Sequence, residues 1–184
     1  MTGIREVSLV TSNPTKVVEL QRILGMLIKQ QNLDIPEIQA LDPMVVAKQK
    51  AEEAYARLKT PVLVEDSGLA VAAWGEFPGA LVKWMIGRRT HSIGLEKFCA
   101  MVPADDRAAK ACSVLVLYDG HDFVTGAGCV RGTIAPEPRG HNGYAWDPIF
   151  IPAGEAKTFG EMAPMAKDKV SARSLAVAEL KKKI

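Results

Sequence analysis

The sequence predicts a mixed α/β fold in which helices wrap a β-sheet, and three observations carry that expectation. Apolar β-type runs alternate with amphipathic helical segments over residues 4–66, as in a parallel or mixed sheet. Two β-rich runs flank Asp119-Gly120, as in an antiparallel hairpin. A chain of 184 residues with 48% hydrophobic content can bury a substantial core, so residues 1–184 are read as a single domain.

The elements follow in order. Ile4 to Val10 forms an apolar strand, and Asn13-Pro14 supplies an N-cap with proline at the first helical position. Val17, Leu20, Leu24, Leu27 and Ile28 then fall at helical spacing, extending that helix to the region of Gln31. Asp34 to Ile38 reads as a short strand or edge segment, since Pro36 cannot donate to a central ladder. Asp42-Pro43 starts a second helix, which runs up to Thr60-Pro61. Val62-Leu63-Val64 is an apolar strand that ends on Glu65-Asp66, with Ser67-Gly68 breaking it. Short helices follow at Leu81 to Met85 and Leu95 to Met101. Ala109 to Tyr118 and Asp122 to Arg131 make the hairpin, in which Gly126, Gly128 and Gly132 are read as strand irregularities, their spacing not being GxGxxG. A helix from Ala166 to Leu180 closes the chain, with Lys181-Lys182-Lys183 complementing its dipole.

Composition narrows the function. A net charge of +2 is too small for a protein that coats nucleic acid by counterion release. The three cysteines form no CxxC pair and the three histidines lie far apart, so no zinc site can be read from spacing. No segment has the length to span a membrane, and the N-terminus lacks the h-region of a signal peptide. Reduced thiols in a cytoplasmic protein are the expectation.

Four groups of residues can carry chemistry. Glu37, Glu65 and Asp66 are hard oxygen donors at strand ends and suit Mg2+, although Glu65 and Asp66 can equally cap the turn at Ser67. Thr11, Ser12 and Asn13 precede a helix N-terminus, with Lys16 one turn further in. That is a small phosphate cradle or an ordinary cap, and it is not a GxxxxGK[ST] loop. Lys83 beside Trp84 can reach phosphate or snorkel. Tyr144-Ala145-Trp146-Asp147 offers aromatic faces and a carboxylate to a purine, or packs as core beside an Asp-Pro turn.

The order of these motifs resembles the inosine triphosphate pyrophosphatase family. The resemblance is carried by Thr11 to Lys16, by Val64-Glu65-Asp66-Ser67-Gly68-Leu69, by Pro78-Gly79 with Lys83-Trp84, by Pro138-Arg139-Gly140 through Pro148, and by Lys167 with Ser171-Ala172-Arg173. It implies an elongated domain of two lobes with the active site in the cleft between them, usually a homodimer. It further implies Mg2+-dependent hydrolysis of ITP, dITP and XTP to the monophosphate and pyrophosphate. Carried over, Asp66 is the catalytic acidic residue and shares the metal with Glu37. Thr11, Ser12, Asn13, Lys16, Lys50, Ser67 and Lys83 meet the triphosphate. Tyr144, Ala145, Trp146, Asp147, Lys167, Ala172 and Arg173 form the nucleoside pocket. Two positions depart from the family pattern: Ala172 stands where a histidine is usual, and Ala145 where a glycine is usual. A nucleotide sensor without turnover, or a pyrophosphatase for other modified nucleotides, are the rival readings.

Overall fold

The computed structural model describes residues 7–25, 27–87 and 92–184. The chain order is β1 (Val7–Val10), α1 (Pro14–Leu24), β2 (Ile28–Gln31), α2 (Pro43–Leu58), β3 (Val62–Val71), β4 (Pro78–Gly79), α3 (Val82–Ile86), α4 (Gly94–Met101), β5 (Ala108–Tyr118), β6 (Phe123–Ile134), β7 (Phe150–Pro152), α5 (Pro164–Val170) and α6 (Ala172–Lys181). Single 3-10 turns lie at Ala72–Trp74 and Phe159–Glu161. The strands form one mixed sheet in the order β2-β1-β3-β5-β6-β7, with β4 also on β3. β1 runs parallel to β2 and β3, and the remaining pairs are antiparallel.

Both Asn-Pro and Asp-Pro starts cap as expected. Asn13 accepts from Thr15 N at the head of α1, and Asp42 accepts from Met44 N at the head of α2. The first half of the sheet carries a core on each face. Leu20 and Leu24 of α1, with Ala176, Val177 and Leu180 of α6, cover Leu9, Leu63, Leu115 and Leu117 on one side. Ala47, Ala51 and Ala54 of α2 cover Val10, Val62, Val64, Val114 and Val116 on the other. A third core gathers Leu69, Val71, Val82, Phe98, Ile134, Phe150 and Phe159 around the far end of β3.

Several expectations need correction. The helix does not reach Gln31: Gly25 ends α1 in the left-handed conformation at φ 70°, and Ile28–Gln31 is the edge strand β2. Leu27, assigned to the buried stripe, is 79% exposed. Residues 34–38 form no strand. The closing helix is two helices, because Ser171 adopts extended backbone and caps α6 by accepting from Ser174 N. Cys112 and Cys129 are not free thiols. They face each other across the β5–β6 register and are joined as a disulfide, leaving Cys99 free and buried. The spacing of 17 residues conceals this, because only the strand register shows that the two positions are opposite. Among the described residues no helix is long and apolar enough to cross a membrane.

The largest correction concerns β3, which does not stop at Asp66. It continues through Glu65, Asp66, Ser67 and Gly68 to Val71, paired with β5 along its whole length. On its other side β1 pairs only with Val62 and Leu63, and β4 only with Leu69 and Ala70. Between those contacts one edge of β3 is open, and it is this edge, rather than a strand end, that presents the acidic pair.

Gly126 and Gly128 lie in a regular strand and serve packing. A Cβ on Gly126 would lie 2.2 Å from the Ala176 carbonyl oxygen, and one on Gly128 would lie 2.4 Å from that of Ala172. The absence of side chains there lets α6 rest directly on β6. A Gly128→Ala variant is therefore expected to lose about 1–3 kcal/mol of stability, read as a lower denaturant midpoint at unchanged m-value.

Candidate active site

Strand geometry alone separates the two acidic residues, because neighbours in a β-strand point to opposite faces. Glu65 turns toward α1 and α6. It is 2% exposed, and it accepts from Arg173 Nε at 2.8 Å, Arg173 Nη2 at 3.2 Å and Ser113 Oγ at 2.8 Å, with Lys16 Nζ 3.3 Å away. Asp66 turns toward α2, where Lys50 Nζ lies 3.6 Å from Oδ2. Its other oxygen accepts from Ser67 N at 2.7 Å. Burial pushes the Asp66 carboxyl above the usual carboxylate range, against the pull of Lys16 and Lys50.

A cleft of about 760 Å³ opens over the free edge of β3. The loop after β1 supplies one wall, with Thr11, Ser12 and Asn13 leading into α1 and Lys16 beyond. Thr11 Oγ1 accepts from Asn13 N at 3.1 Å, which shapes the turn at the helix head. The first turn of α1 holds no acidic residue, so no side-chain charge there cancels the positive end of the helix dipole beside the cleft. Glu37 enters from the 32–41 loop and is clamped by two lysines: Lys50 Nζ lies 2.7 Å from Oε1, and Lys83 pairs with Oε2. Tyr144, Ala145 and Trp146 close the opposite end.

Beside the cleft lies a small cavity of about 40 Å³, lined by polar Glu65, Ser67, Ser113, Asp147, Lys167 and Arg173, by the rings of Tyr144, Trp146 and Phe159, and by Ala172. The polar groups here form one buried network. Arg173 bonds Glu65, Glu19 and the Tyr144 hydroxyl. Lys167 Nζ donates to Glu19 at 3.2 Å and to Asp147 at 2.9 Å. Asp147 also accepts from Tyr144 N at 2.6 Å, so it fixes the aromatic turn from behind, and burial raises its pKa. Burial lowers Arg173 to about 10, which still leaves it charged at neutral pH. Of the five N–H groups of Arg173 protein acceptors take four, and of the three of Lys167 they take two.

The structure thus brings every sequence-predicted position to the cleft or to the adjoining cavity. Asp147 lines the small cavity with its carboxylate bonded to Lys167 Nζ and Tyr144 N. No three His, Cys, Asp or Glu side chains converge on a metal position among the described residues. Glu37 and Asp66 nevertheless share Lys50 between them, and two carboxylates suit Mg2+, which completes its shell with water and phosphate oxygens.

A model of the Ham1 family matches residues 7–183. The chain belongs to the Ham1 family. It is 37% identical to the dITP/XTP pyrophosphatase of Pyrobaculum aerophilum, over 95% of this chain and 93% of that protein. It is also 37% identical to the inosine triphosphate pyrophosphatase of Batrachochytrium dendrobatidis, over 97% and 93%. Its fold superposes on a HAM1 protein from Coxiella burnetii with a TM-score of 0.82 at 29% identity, covering 97% of each chain.

Sequence reading of this Ham1 chain missed Glu19. At helical spacing it follows Lys16 by three residues and looks like a solvated surface position, yet it is 7% exposed and faces both Lys167 and Arg173. The available signal was the pair of cations near residue 170, which together need more than one buried carboxylate. Because removing one member of a buried ion set leaves the others unpaired, Glu19→Gln is expected to destabilise the fold by about 3 kcal/mol. Equilibrium urea unfolding at pH 7 measures it, and a loss no larger than that of an exposed Glu→Gln control refutes the burial argument.

Proposed function

We propose that this Ham1 protein hydrolyses deaminated purine nucleoside triphosphates, namely ITP, dITP and XTP, to the nucleoside monophosphate and pyrophosphate, clearing them from the nucleotide pool. The observation that carries this reading is the open edge of β3, which sets a cation-rich cleft with two acidic side chains next to a cavity that offers hydrogen-bond donors. The names of the relatives point the same way.

The triphosphate lies in the cleft along the head of α1, with Lys16, Lys50 and Lys83 meeting its charge and Thr11, Ser12, Asn13 and Ser67 contributing polar contacts. Asp66 orients a water and draws its proton as the oxygen attacks the α-phosphorus, with pyrophosphate leaving. Mg2+, held by Glu37 and Asp66, would supply charge neutralisation at the reacting phosphorus. The base enters between the aromatic faces of Tyr144 and Trp146, beside Ala145. There the N–H groups of Arg173, one of which bonds the Tyr144 hydroxyl, and of Lys167 suit the O6 and N7 acceptors of a 6-oxo purine, whereas adenine presents an amino donor at position 6. Ala172 adds only a methyl group, so discrimination rests on those two cations and is weaker than in relatives carrying a histidine at that position. The same reading takes the protein as a cytoplasmic homodimer with no role for nucleic acid, in keeping with its near-neutral charge.

Pyrophosphate release from ITP, dITP, XTP, GTP and ATP tests the reading. Release from the first three with Mg2+, suppressed by EDTA, is expected, and equal rates for ITP and ATP count against the base assignment. Asp66→Asn should lower kcat by about two orders of magnitude or more. The same variant should melt at a higher temperature at pH 7. A carboxyl whose pKa is raised by folding is harder to ionise in the native state than in the unfolded chain, so its charge opposes folding above the ordinary carboxylate pKa. Below that pH both states are protonated and the gain from Asn disappears.

A further inference from the structure

The small cavity has the chemistry of a base site and the wrong size. Its 40 Å³ holds a water or so, whereas pockets for drug-sized ligands run to about 300 Å³ or more. Tyr144 and Trp146 of the aromatic turn line both this cavity and the large cleft, and of the two Tyr144 is bonded across to the deepest cation, its hydroxyl accepting from Arg173 Nη2. The Arg173 guanidinium also sits 5.3 Å from the centre of the Tyr144 ring, and Lys167 Nζ sits 5.4 Å from it. The phenol therefore takes one of the Arg173 donors beside this space, and its ring is one wall of a cavity too small for a purine.

The backbone around Tyr144 leaves rotation of the side chain as the route to opening. Its N–H is held by Asp147 at 2.6 Å, and its neighbours Gly143 and Ala145 sit in the left-handed region at φ 75° and 54°. A Cβ on Gly143 would lie 2.0 Å from the Asp147 carboxylate, so the turn is packed tight from behind. The ring itself is half-buried, with exposed residues on either side along the chain.

We propose that the Tyr144 hydroxyl competes with the purine for Arg173, so that phenol contact and seated base exclude each other and Tyr144 sets the affinity for every purine nucleotide alike. This inference rests on the assignment of the small cavity as the base site. Hydrogen bonds to charged groups are among the stronger ones, so breaking this one is a real toll on binding. Tyr144 is thus a positioning residue through its hydroxyl, separate from whatever its ring contributes by stacking.

The experiment compares wild type with Tyr144→Phe, which keeps the ring and deletes the hydroxyl. KM for ITP and the Kd for IMP, read by tryptophan fluorescence, are expected to fall about tenfold, equivalent to about 1.4 kcal/mol. The change should sit in KM far more than in kcat, and the ITP to GTP ratio of KM should stay constant. Inhibition by inorganic tripolyphosphate, which has no base, should not move. An unchanged or raised KM overturns the competition, and so does a shift in the ITP to GTP ratio, which would make the hydroxyl a reader of the base edge. If wild type hydrolyses none of the nucleotides and binds no IMP, the base-site assignment itself falls and this proposal falls with it. Active wild type with an indifferent Tyr144→Phe refutes the proposal alone.

Discussion

Everything about this site depends on a neutral set of buried charges. Glu19, Glu65 and Asp147 stand against Lys16, Lys167 and Arg173, and the carboxylates are 7%, 2% and 4% exposed. Burying any one of them alone would be prohibitive, whereas as a set their mutual bonds offset the loss of hydration. The set also joins pieces that are distant in sequence: α1, β3, the aromatic turn, α5 and α6 each contribute at least one member. The position of these cavity-lining side chains is therefore tied to an electrostatic condition for folding.

The division of labour between Glu65 and Asp66 follows from the alternation of a strand. Glu65 spends its charge on the buried set and is closed to solvent, while Asp66, one residue on, faces α2 and the cleft. The same alternation puts Ser67 back on the side of the small cavity. A single extended segment thereby delivers a buried, paired acid and a hydroxyl to one face and a second acid to the other. A helix could not do so, since its neighbouring residues are separated by only part of a turn.

Much of the scaffold was legible because its signals are local. Asn13-Pro14 and Asp42-Pro43 announce helix starts through side-chain caps and a fixed φ, and Asp119-Gly120 announces the hairpin turn. What failed was governed by distant partners. Gly68 looked like a strand breaker, yet β5 pairs with it, and the absent side chain makes room for the Gly79 backbone. Ile28 was at helical spacing, but Gly25 had already turned the chain so that β1 could recruit Ile28–Gln31 as a strand. Ser171 sat inside a helical pattern, and its capping role appears only where Lys167 and Arg173 must point into one cavity from two axes. The cysteine pair needed a strand register, and Glu19 needed knowledge of what lay across from it. The candidate site residues, by contrast, were drawn from the order of motifs along the chain, a pattern that periodicity alone does not contain, and the fold gathers them at one cleft and its adjoining cavity.

The open edge of β3 also bears on solubility. Unpaired strand edges are templates on which other chains add strands and aggregate. Here the exposed stretch is short and closed at both ends by β1 and β4, so no intruding strand can run past it. Its polar backbone is answered by side chains, with Lys16 Nζ 3.4 Å from the Glu65 carbonyl and Asp66 accepting from Ser67 N. A gap inside a sheet, rather than at its margin, lets the protein keep bare strand backbone beside an open cleft without offering neighbouring molecules a place to polymerise.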